Sequence, residues 1–334
     1  MSALLFPGQG SQVVGMGSDF YAKYDIVKKI FKQADEKLNY PISKIILEGP
    51  EDKLQLTKNT QPAILTVSYS IFKVLKDEIG FDLSVFKFFA GHSLGEYSAL
   101  VCAESLSFTD ALYLLHERGE AMQDAVPVGM GSMIAVLGVK TEEIKNILES
   151  INLDNGICEI ANDNADGQVI LSGDKKSVDL IKTTLNEKKI KTIPLKVSAP
   201  FHCSLMRPAA DIMKKKINNT LNNNPPLTLI HTVPPHPQTN SHIKNPQFNI
   251  INNVTANLEK NSDIIKELLI KQIFSTVRWR ESIIKMSKTN VKNFIEIGPG
   301  KVLTGMVKRT IKSANCFSIN SIADIKKFND EFKR

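Results

Sequence analysis

The chain has 334 residues, of which 42% are hydrophobic and 23% charged, and its net charge at pH 7 is +7. This composition is typical of a folded globular protein that is long enough for a large core and for two domains. Because no uninterrupted apolar stretch reaches about 18 residues, and because the N-terminus lacks a basic segment followed by a long apolar one, the sequence predicts neither a transmembrane helix nor a signal peptide.

The net positive charge limits the kinds of partner to be expected, and the cysteine spacing indicates the cellular compartment. A basic surface suits nucleic acid, an anionic membrane, or an acidic or phosphate-bearing partner, although a lysine-rich codon bias alone would also produce it. No helix-turn-helix, zinc-finger or aromatic RNA-binding signature is present, so we expect no nucleic-acid partner. The cysteines are far apart and form no Cys-x-x-Cys pair, which indicates reduced thiols in a cytoplasmic protein without a metal site: Cys102, Cys158, Cys203 and Cys316.

The first predicted elements are a short strand, Leu4-Leu5-Phe6, and a glycine-rich loop over residues 7–12. Gln9 on this loop either donates an amide N–H at the top of a central sheet or is an ordinary turn residue in solvent, and the local sequence leaves both open. A helical pattern follows over residues 19–38. Thr60-Gln61-Pro62 then predicts the start of a buried helix, with Thr60 as its N-cap.

The most informative stretch is Gly91-His92-Ser93-Leu94-Gly95-Glu96-Tyr97, which contains Gly-x-Ser-x-Gly. An apolar segment, 85–90, predicts a strand before it, and residues 97–103 predict a helix after it. Strand, tight turn and helix are the context of a nucleophile elbow, in which Ser93 is strained and its hydroxyl projects. The alternative is an ordinary glycine-rich turn, and the flanking elements favour the elbow.

A further helix is predicted from Ser107-Phe108-Thr109-Asp110, a capping-box-like start, to about residue 123. Arg118 lies on its apolar face, three residues after Leu115 and four before Met122. A buried guanidinium needs an anionic partner. That partner is either a carboxylate of the protein, which is the commoner case for an isolated arginine, or a substrate carboxylate bound in a bidentate manner.

From residue 129 onward the order of predicted elements changes. The elements are a strand at 132–139, a helix at 141–150, strands at 157–161 and 168–172 around a turn at 162–167, a helix at 174–188 and a strand at 191–197. This βαββαβ order is that of the ferredoxin-like fold. We therefore predict a small subdomain, 129–198, inserted into a larger α/β subdomain made of 1–128 and 199–334.

His202 is the best candidate for a general base, because it lies in a loop directly after the small subdomain, where clefts tend to form. His92 adjoins Ser93, but in a tight turn its side chain should point away from the serine. His231, His236 and His242 occur in a Pro- and Asn-rich stretch without carboxylates or cysteines. We predict that this stretch, 225–246, is a flexible insertion rather than a metal site.

The rest of the chain predicts a return to the larger subdomain. The predicted elements are a helix at about 206–221, a strand at 248–254, helices near 262–274 and 278–288, a strand at 293–297 and a final helix after Gly298-Pro299-Gly300-Lys301.

Four stretches, in this order, resemble the malonyl-CoA:acyl carrier protein transacylases of bacterial type II fatty acid synthesis: residues 6–12, residues 91–97, the loop around His202, and residues 296–301. Gln61-Pro62-Ala63, Arg118-Gly119 and Gln272 also fit that family. The resemblance covers nearly the whole chain, and the clear departure from it is the stretch 225–246.

The resemblance implies an α/β-hydrolase-like large subdomain with the ferredoxin-like insert. It also implies a serine–histidine dyad, in which a main-chain carbonyl replaces the aspartate of many hydrolases. The site residues that it implies are Ser93 as nucleophile, His202 as its base, Gln9 and the Leu94 N–H as the oxyanion hole, Arg118 as ligand of the malonyl carboxylate, and the Gln272 carbonyl as the group that orients His202.

The activity implied is transfer of malonyl from malonyl-CoA to the phosphopantetheine thiol of acyl carrier protein through a malonyl-serine. We expect no cofactor or metal, no membrane or nucleic-acid partner, and a cytoplasmic monomer. A thioesterase is the nearest alternative, against which Arg118 argues because it fixes the acyl group. A non-catalytic scaffold is the second, against which the presence of the proposed active-site residues argues.

Two further expectations follow from the resemblance. Phe201, beside His202, should narrow the acyl pocket and favour malonyl over methylmalonyl. Because acyl carrier proteins are acidic, basic residues should contact them, and raised salt should weaken that contact. The candidates are Lys188, Lys189, Lys191, Lys301, Lys308 and Arg309.

Overall fold

The computed structural model describes residues 1–197, 199–218 and 243–332, and these ranges contain two β-sheets. Numbered along the chain, the strands are β1 (Ser2–Phe6), β2 (Phe86–Gly91), β3 (Gly131–Leu137), β4 (Cys158–Ala165), β5 (Gln168–Asp174), β6 (Lys191–Pro194), β7 (Asn249–Ile251), β8 (Leu258–Glu259), β9 (Asn293–Ile297) and β10 (Asn315–Ile319). The α-helices are α1 (Ser18–Lys23), α2 (Asp25–Leu38), α3 (Ile42–Glu48), α4 (Glu51–Gln55), α5 (Thr57–Lys73), α6 (Gly95–Cys102), α7 (Phe108–Asp124), α8 (Thr141–Ser150), α9 (Lys175–Glu187), α10 (Arg207–Asn218), α11 (Ser262–Gln272), α12 (Trp279–Lys288), α13 (Val302–Thr310) and α14 (Ile322–Phe332).

The larger sheet has the strand order β10-β9-β1-β2-β7-β8, and its neighbours are parallel except for β7 and β8. Side chains of β1 alternate between two apolar cores, with Leu4 and Phe6 in one and Ala3 and Leu5 in the other. Both faces of this central strand are therefore buried, as in other parallel sheets. Because β1 and β2 are adjacent and parallel, the loops that follow them lie at the same edge of the sheet.

The smaller sheet is antiparallel and has the order β4-β5-β3-β6. Helices α8 and α9 pack on it, and its apolar core is separate from the cores of the larger sheet; Ile134, Val136, Val169 and Leu171 belong to this core. The predicted α/β fold with a ferredoxin-like unit is therefore confirmed. The proposed subdomain boundaries, 1–128 with 199–334 and 129–198, stay a prediction.

The strand β4 is attached to the start of α12 in the larger part of the molecule. Arg280 Nε donates to both carboxylate oxygens of Asp163, at 2.9 and 3.0 Å, and Asp163 also accepts from Thr141 Oγ1 at 2.9 Å. Beside this ion pair the main chains are bonded directly: Val277 N–H donates to the Ala161 carbonyl at 2.8 Å, and Asp163 N–H donates to the Val277 carbonyl at 3.0 Å. Charge and main-chain bonding thus hold the two sheets in one relative position.

Several predicted boundaries are wrong. The pattern at 19–38 forms two helices, α1 and α2, because Tyr24 between them is extended (φ −114°, ψ 123°). The turn predicted at 162–167 is shorter, since β4 continues to Ala165. The helix after Lys301 is not the last element, because β10 and α14 follow it.

The predicted start of α5, with Thr60 as N-cap, is also wrong. The helix begins at Thr57 with Leu56 as N-cap, so Thr60 is not the cap and Pro62 lies inside the helix. A proline there has no N–H to bond the carbonyl four residues earlier, that of Lys58. His116 Nδ1 on α7 lies 3.2 Å from that carbonyl oxygen, so a distant helix satisfies it.

Replacing Arg280 with alanine should lower the free energy of unfolding by about 2–4 kcal/mol, as expected when a buried carboxylate loses its cation. Asp163, only 3% exposed, would be that carboxylate. Denaturant titration measures the change. The matched control is Lys175→Ala, whose ion pair with Asp179 is mostly in solvent, so its loss should cost less than about 1 kcal/mol. Equal small losses in both variants would contradict the attachment described above.

Candidate active site

Ser93 stands on a sharp turn between β2 and α6. Its φ of 52° lies in the left-handed region, which is strained for a residue with a side chain. A Cβ on Gly91 would lie 1.9 Å from the Gly95 carbonyl carbon, and one on Gly95 would lie 2.2 Å from the Phe6 carbonyl oxygen, so both positions require glycine. Asn253 holds the turn by accepting from Ser93 N–H at 2.7 Å and donating to the Gly91 carbonyl at 2.8 Å. The predicted strand, turn and helix are present.

The Ser93 hydroxyl is paired with an imidazole. Ser93 Oγ lies 2.8 Å from His202 Nε2, and His202 Nδ1 lies 2.8 Å from the main-chain carbonyl of Gln272. Because a carbonyl only accepts, Nδ1 is the protonated nitrogen and Nε2 is free to accept the Ser93 proton. Burial, and next the positive charge of Arg118, lower the pKa of His202 to about 3. The imidazole is therefore neutral near pH 7 and able to act as a base.

Arg118 lies beside the same hydroxyl and is only 1% exposed. Its guanidinium donates to Ser93 Oγ at 3.1 Å, to Gln61 Oε1 at 2.7 Å and to Gln272 Oε1 at 3.0 Å. Across residues 1–197, 199–218 and 243–332, no Asp or Glu forms an ion pair with Arg118. The structural salt bridge is thus not formed within those ranges, and the cation is surrounded by neutral acceptors that an incoming anion can replace.

The two predicted oxyanion donors border the same cavity. Gln9 is exposed at its edge, and Gln9 Nε2 donates to Thr57 Oγ1 across 3.4 Å. Leu94 is the N-cap of α6, where main-chain N–H groups have no acceptor within the helix. An oxyanion formed next to Ser93 would therefore meet the positive end of α6.

The cavity lies between the two sheets. One wall comes from the larger part of the molecule and the other from the strands and loops of the smaller one, and most of the wall is apolar, as is usual for small-molecule sites. The residues that line it are Gln9, Gln61, His92, Ser93, Leu94, Arg118, Met122, Met133, Asn162, Leu195, Val197, Phe201 and His202.

His92 does not pair with the serine that follows it. Its Nε2 lies 2.8 Å from Asn164 Oδ1 on β4, and its ring packs edge-on against Trp279 with 5.6 Å between ring centroids. Burial lowers the pKa of His92, so its ring is neutral. This orientation agrees with the prediction that the side chain points away from Ser93.

Three buried residues of the site were not assigned a role from the sequence. Gln61 accepts from Arg118, and Asn253 holds the elbow. Glu96 is 2% exposed, and its Oε2 accepts from Gln272 Nε2 at 2.7 Å and from Asn253 N–H at 3.0 Å. The sequence could have indicated Glu96, because it is the one carboxylate in a mostly apolar helix, α6. No comparable feature of the sequence distinguishes Asn253.

Most of the predicted insertion, residues 225–242, lies outside the described residues, and so do His231, His236 and His242. Residues 243–246 belong to the larger part of the molecule: Ile243 is 5% exposed and Lys244 N–H donates to the Ser105 carbonyl at 2.7 Å.

The described part of the chain offers neither a metal-binding cluster nor a membrane-spanning helix. Within it, no group of three or more His, Cys, Asp or Glu side chains is placed to hold a metal ion. Within it, no helix combines the length and the apolar character needed to cross a membrane.

Comparison with known proteins gives consistent matches. Residues 3–333 match the family model of the acyl transferase domain. The chain is 41% identical over 319 residues, covering 95% of this chain and 93% of the relative, to the malonyl CoA-acyl carrier protein transacylase of Bacillus subtilis (strain 168).

Solved structures of similar proteins superpose over almost the whole chain. The acyl-carrier-protein-S-malonyltransferase of Bartonella henselae matches with a TM-score of 0.90 and 37% identity, covering 100% of this chain and 99% of that one. A malonyl-transacylase solved in complex with its type II PKS acyl-carrier protein matches with a TM-score of 0.88 and 34% identity, covering 98% of both chains.

The lowered pKa of His202 predicts how the reactivity of Ser93 depends on pH. A depressed pKa keeps the basic form of the imidazole at lower pH, so the base is lost only as pH falls toward about 3. The rate at which phenylmethylsulfonyl fluoride, which has no carboxylate, labels Ser93 should therefore stay flat from about pH 8 down to about pH 5. Mass spectrometry measures the labelled fraction over time. A rate that falls with a midpoint near 6.5, the ordinary histidine value, would contradict this.

Proposed function

The chain belongs to the acyl transferase family, and on that premise we propose a role for each residue of its site. The protein is an acyltransferase that transfers the malonyl group of malonyl-CoA to acyl carrier protein, in fatty acid biosynthesis. Under our proposal the acceptor is the phosphopantetheine thiol of the carrier, and the malonyl group passes through a covalent ester on Ser93 in a ping-pong reaction. The single observation that most supports this route is the contact of Ser93 Oγ with both His202 Nε2 and the Arg118 guanidinium.

The first half of the reaction acylates the serine. His202 Nε2 takes the Ser93 proton as Oγ attacks the thioester carbonyl of malonyl-CoA. The Leu94 N–H and the Gln9 amide stabilise the tetrahedral oxyanion, each by about 10²–10³ in rate. The Gln9 amide must leave Thr57 to do so. Collapse of the intermediate expels the CoA thiolate, which takes the proton back from His202.

The second half repeats the same steps with a different thiol. The carrier thiol gives its proton to His202 and attacks the malonyl-Ser93 ester, and collapse returns the proton to Ser93 Oγ. The Gln272 carbonyl keeps His202 Nδ1 protonated throughout, so Nε2 is always the nitrogen that exchanges the proton. Substrate and product are both thioesters, so the transfer is nearly thermoneutral and its direction follows concentrations.

Arg118 is the proposed ligand of the malonyl carboxylate. Only a methylene separates that carboxylate from the reacting carbonyl, and the guanidinium is within 3.1 Å of the nucleophile, so both ends of the acyl group are reached at once. A bidentate ion pair would replace neutral acceptors, Gln61 and Gln272. Fixing the acyl group in this way also disfavours attack by water, which supports transfer over hydrolysis. Phe201, 7% exposed on the cavity wall, is proposed to exclude the extra methyl of methylmalonyl.

We further propose that the reaction requires no cofactor and that the protein acts as a cytoplasmic monomer. Acyl exchange between two thiols involves no net oxidation and is accounted for by the serine, histidine and oxyanion donors alone. The basic residues proposed to contact the acidic carrier are all exposed: Lys188, Lys189, Lys191, Lys301, Lys308 and Arg309.

Incubation with malonyl-CoA labelled in the acyl group should leave label on Ser93, and subsequent addition of acyl carrier protein should move it to the carrier. Peptide mapping locates the label, and Ser93→Ala is the control that should remain unlabelled. Release of the label as free malonate, or no label on the wild-type protein, would contradict the transferase mechanism.

Replacing Arg118 with alanine should lower kcat/KM for malonyl-CoA by about 100-fold or more, because a buried carboxylate would lose its partner. Acetyl-CoA has no such carboxylate, so its relative acceptance should rise. Competition between the two labelled thioesters measures the preference. An unchanged malonyl-to-acetyl preference in this variant would remove the carboxylate role from Arg118.

A further inference from the structure

Gln272 connects the proposed base, the proposed carboxylate ligand and the nucleophile. It is fully buried, its main-chain carbonyl accepts from His202 Nδ1, and its Oε1 accepts from Arg118. Its Nε2 donates to the Ser93 carbonyl at 3.2 Å and to Glu96 Oε2 at 2.7 Å. A rotation of this one side chain would therefore disturb its contacts with Arg118, Glu96 and the Ser93 main chain together.

Glu96 is the carboxylate that accepts a hydrogen bond from the Gln272 side chain. Its Oε2 accepts from Gln272 and from the main chain of Asn253, whose side chain holds the elbow. Within residues 1–197, 199–218 and 243–332, no cation forms an ion pair with it. Burying a carboxylate without an ion pair costs free energy. The steps of acyl transfer described for Ser93, His202 and Arg118 give Glu96 no part, so its position beside these groups needs another explanation.

We propose that Glu96 is a positioning residue for malonyl transfer: through the Gln272 side-chain amide it fixes the guanidinium and anchors the residue whose main-chain carbonyl holds the base, and it provides the negative charge that balances Arg118 before malonyl binds. This inference rests on the roles proposed above for Ser93, His202 and Arg118.

The polarity of the Gln272 amide explains why a carboxylate is suited to the position. A guanidinium only donates, so it requires the amide oxygen, and an ionised carboxylate only accepts, so it requires the amide nitrogen. Arg118 and Glu96 thus bind opposite ends of one amide and hold it in a single orientation. Without Glu96 only the longer bonds to the Ser93 carbonyl and to Asn253 Oδ1, at 3.2 and 3.4 Å, would hold the NH₂ group, so the amide could more readily turn it toward the guanidinium, which would repel it.

Binding of malonyl changes the charge balance. Arg118 and Glu96 contact the same Gln272 amide, so a substrate carboxylate bound to Arg118 would place a second negative charge near Glu96. That charge would raise the pKa of Glu96. Burial already raises the pKa of Glu96 to about 7 before malonyl binds, while Asn253, Gln272 and Arg118 act against that rise. Malonyl-CoA should therefore bind with uptake of a proton above about pH 7, and bind more weakly as pH increases.

The other titratable groups around Glu96 do not change charge in that range. Burial lowers the pKa of Arg118 on α7, but a guanidinium remains protonated near neutral pH. Tyr97, next to Glu96 on α6, has its pKa raised to about 12 by burial. His202 has its pKa lowered to about 3, and burial also lowers the pKa of His92. A pH effect on malonyl binding near neutrality is therefore assigned to Glu96.

Glu96→Gln keeps an oxygen acceptor for Gln272 and Asn253 but removes the charge. For the wild-type protein, KM for malonyl-CoA should rise with pH above about 7, by up to about tenfold per pH unit. In Glu96→Gln this rise should disappear while most of kcat is retained. The inhibition constant of acetyl-CoA, which has no carboxylate, should show no such rise in either protein.

Glu96→Ala removes the acceptor as well, and kcat/KM should fall by about 10- to 100-fold, as expected when buried donors lose their partner. The matched control is Glu296→Gln, since Glu296 is also fully buried and accepts two main-chain N–H groups, from Leu303 and Thr304, away from the cavity. It should keep the wild-type pH dependence of KM.

A wild-type rise of KM that persists unchanged in Glu96→Gln would overturn the charge role. A Glu96→Ala variant with wild-type kcat/KM would overturn the positioning role. Both outcomes presuppose that the wild-type protein transfers malonyl in the same assay, so they are separable from a failure of the mechanism proposed for Ser93, His202 and Arg118.

Discussion

The site is organised by the burial of one guanidinium. Arg118 is 1% exposed, and its neighbours Gln61, Ser93 and Gln272 offer it neutral oxygen acceptors. Such a cation is costly to bury without an anion, and in the proposed mechanism a substrate carboxylate offsets that cost. Burial, and next the same positive charge, lower the pKa of His202, so its imidazole is unprotonated near pH 7. Arg118 thus affects both the proposed binding of an acidic acyl group and the protonation state of the proposed base.

The geometry around that cation depends on how the two sheets meet. The larger sheet presents the serine turn at the end of β2, and the smaller sheet closes the cavity from the other side with Met133 and Asn162. Bonds between Val277 and β4 keep that wall in place, close to the contact between His92 and Asn164. Neither sheet forms the cavity alone, which explains why an inserted subdomain belongs to this site.

Much of the fold could be predicted because it depends on neighbours in sequence. Ser107 caps α7 by accepting from Asp110 N–H at 3.1 Å, as its capping-box-like sequence indicates. The βαββαβ order likewise appears in the alternating patterns of the small subdomain. The predictions failed where a distant element decided the outcome. Pro62 lies within α5 because His116 of another helix satisfies the carbonyl that the proline leaves without an N–H partner.

The sequence by itself determined the serine turn, because Gly91 and Gly95 are required by contacts within the turn and with the adjacent strand, and it singled out Arg118 by its place on an apolar helix face. The tertiary structure alone decided what surrounds them. Ser93 and His202 are 109 residues apart, and Arg118 and Gln272 are 154 apart. Such pairs are brought together by the packing of sheets and helices. Their spacing along the chain does not indicate that they are close in space. The same holds for Glu96, because only the folded chain places the Gln272 amide between its carboxylate and the Arg118 guanidinium.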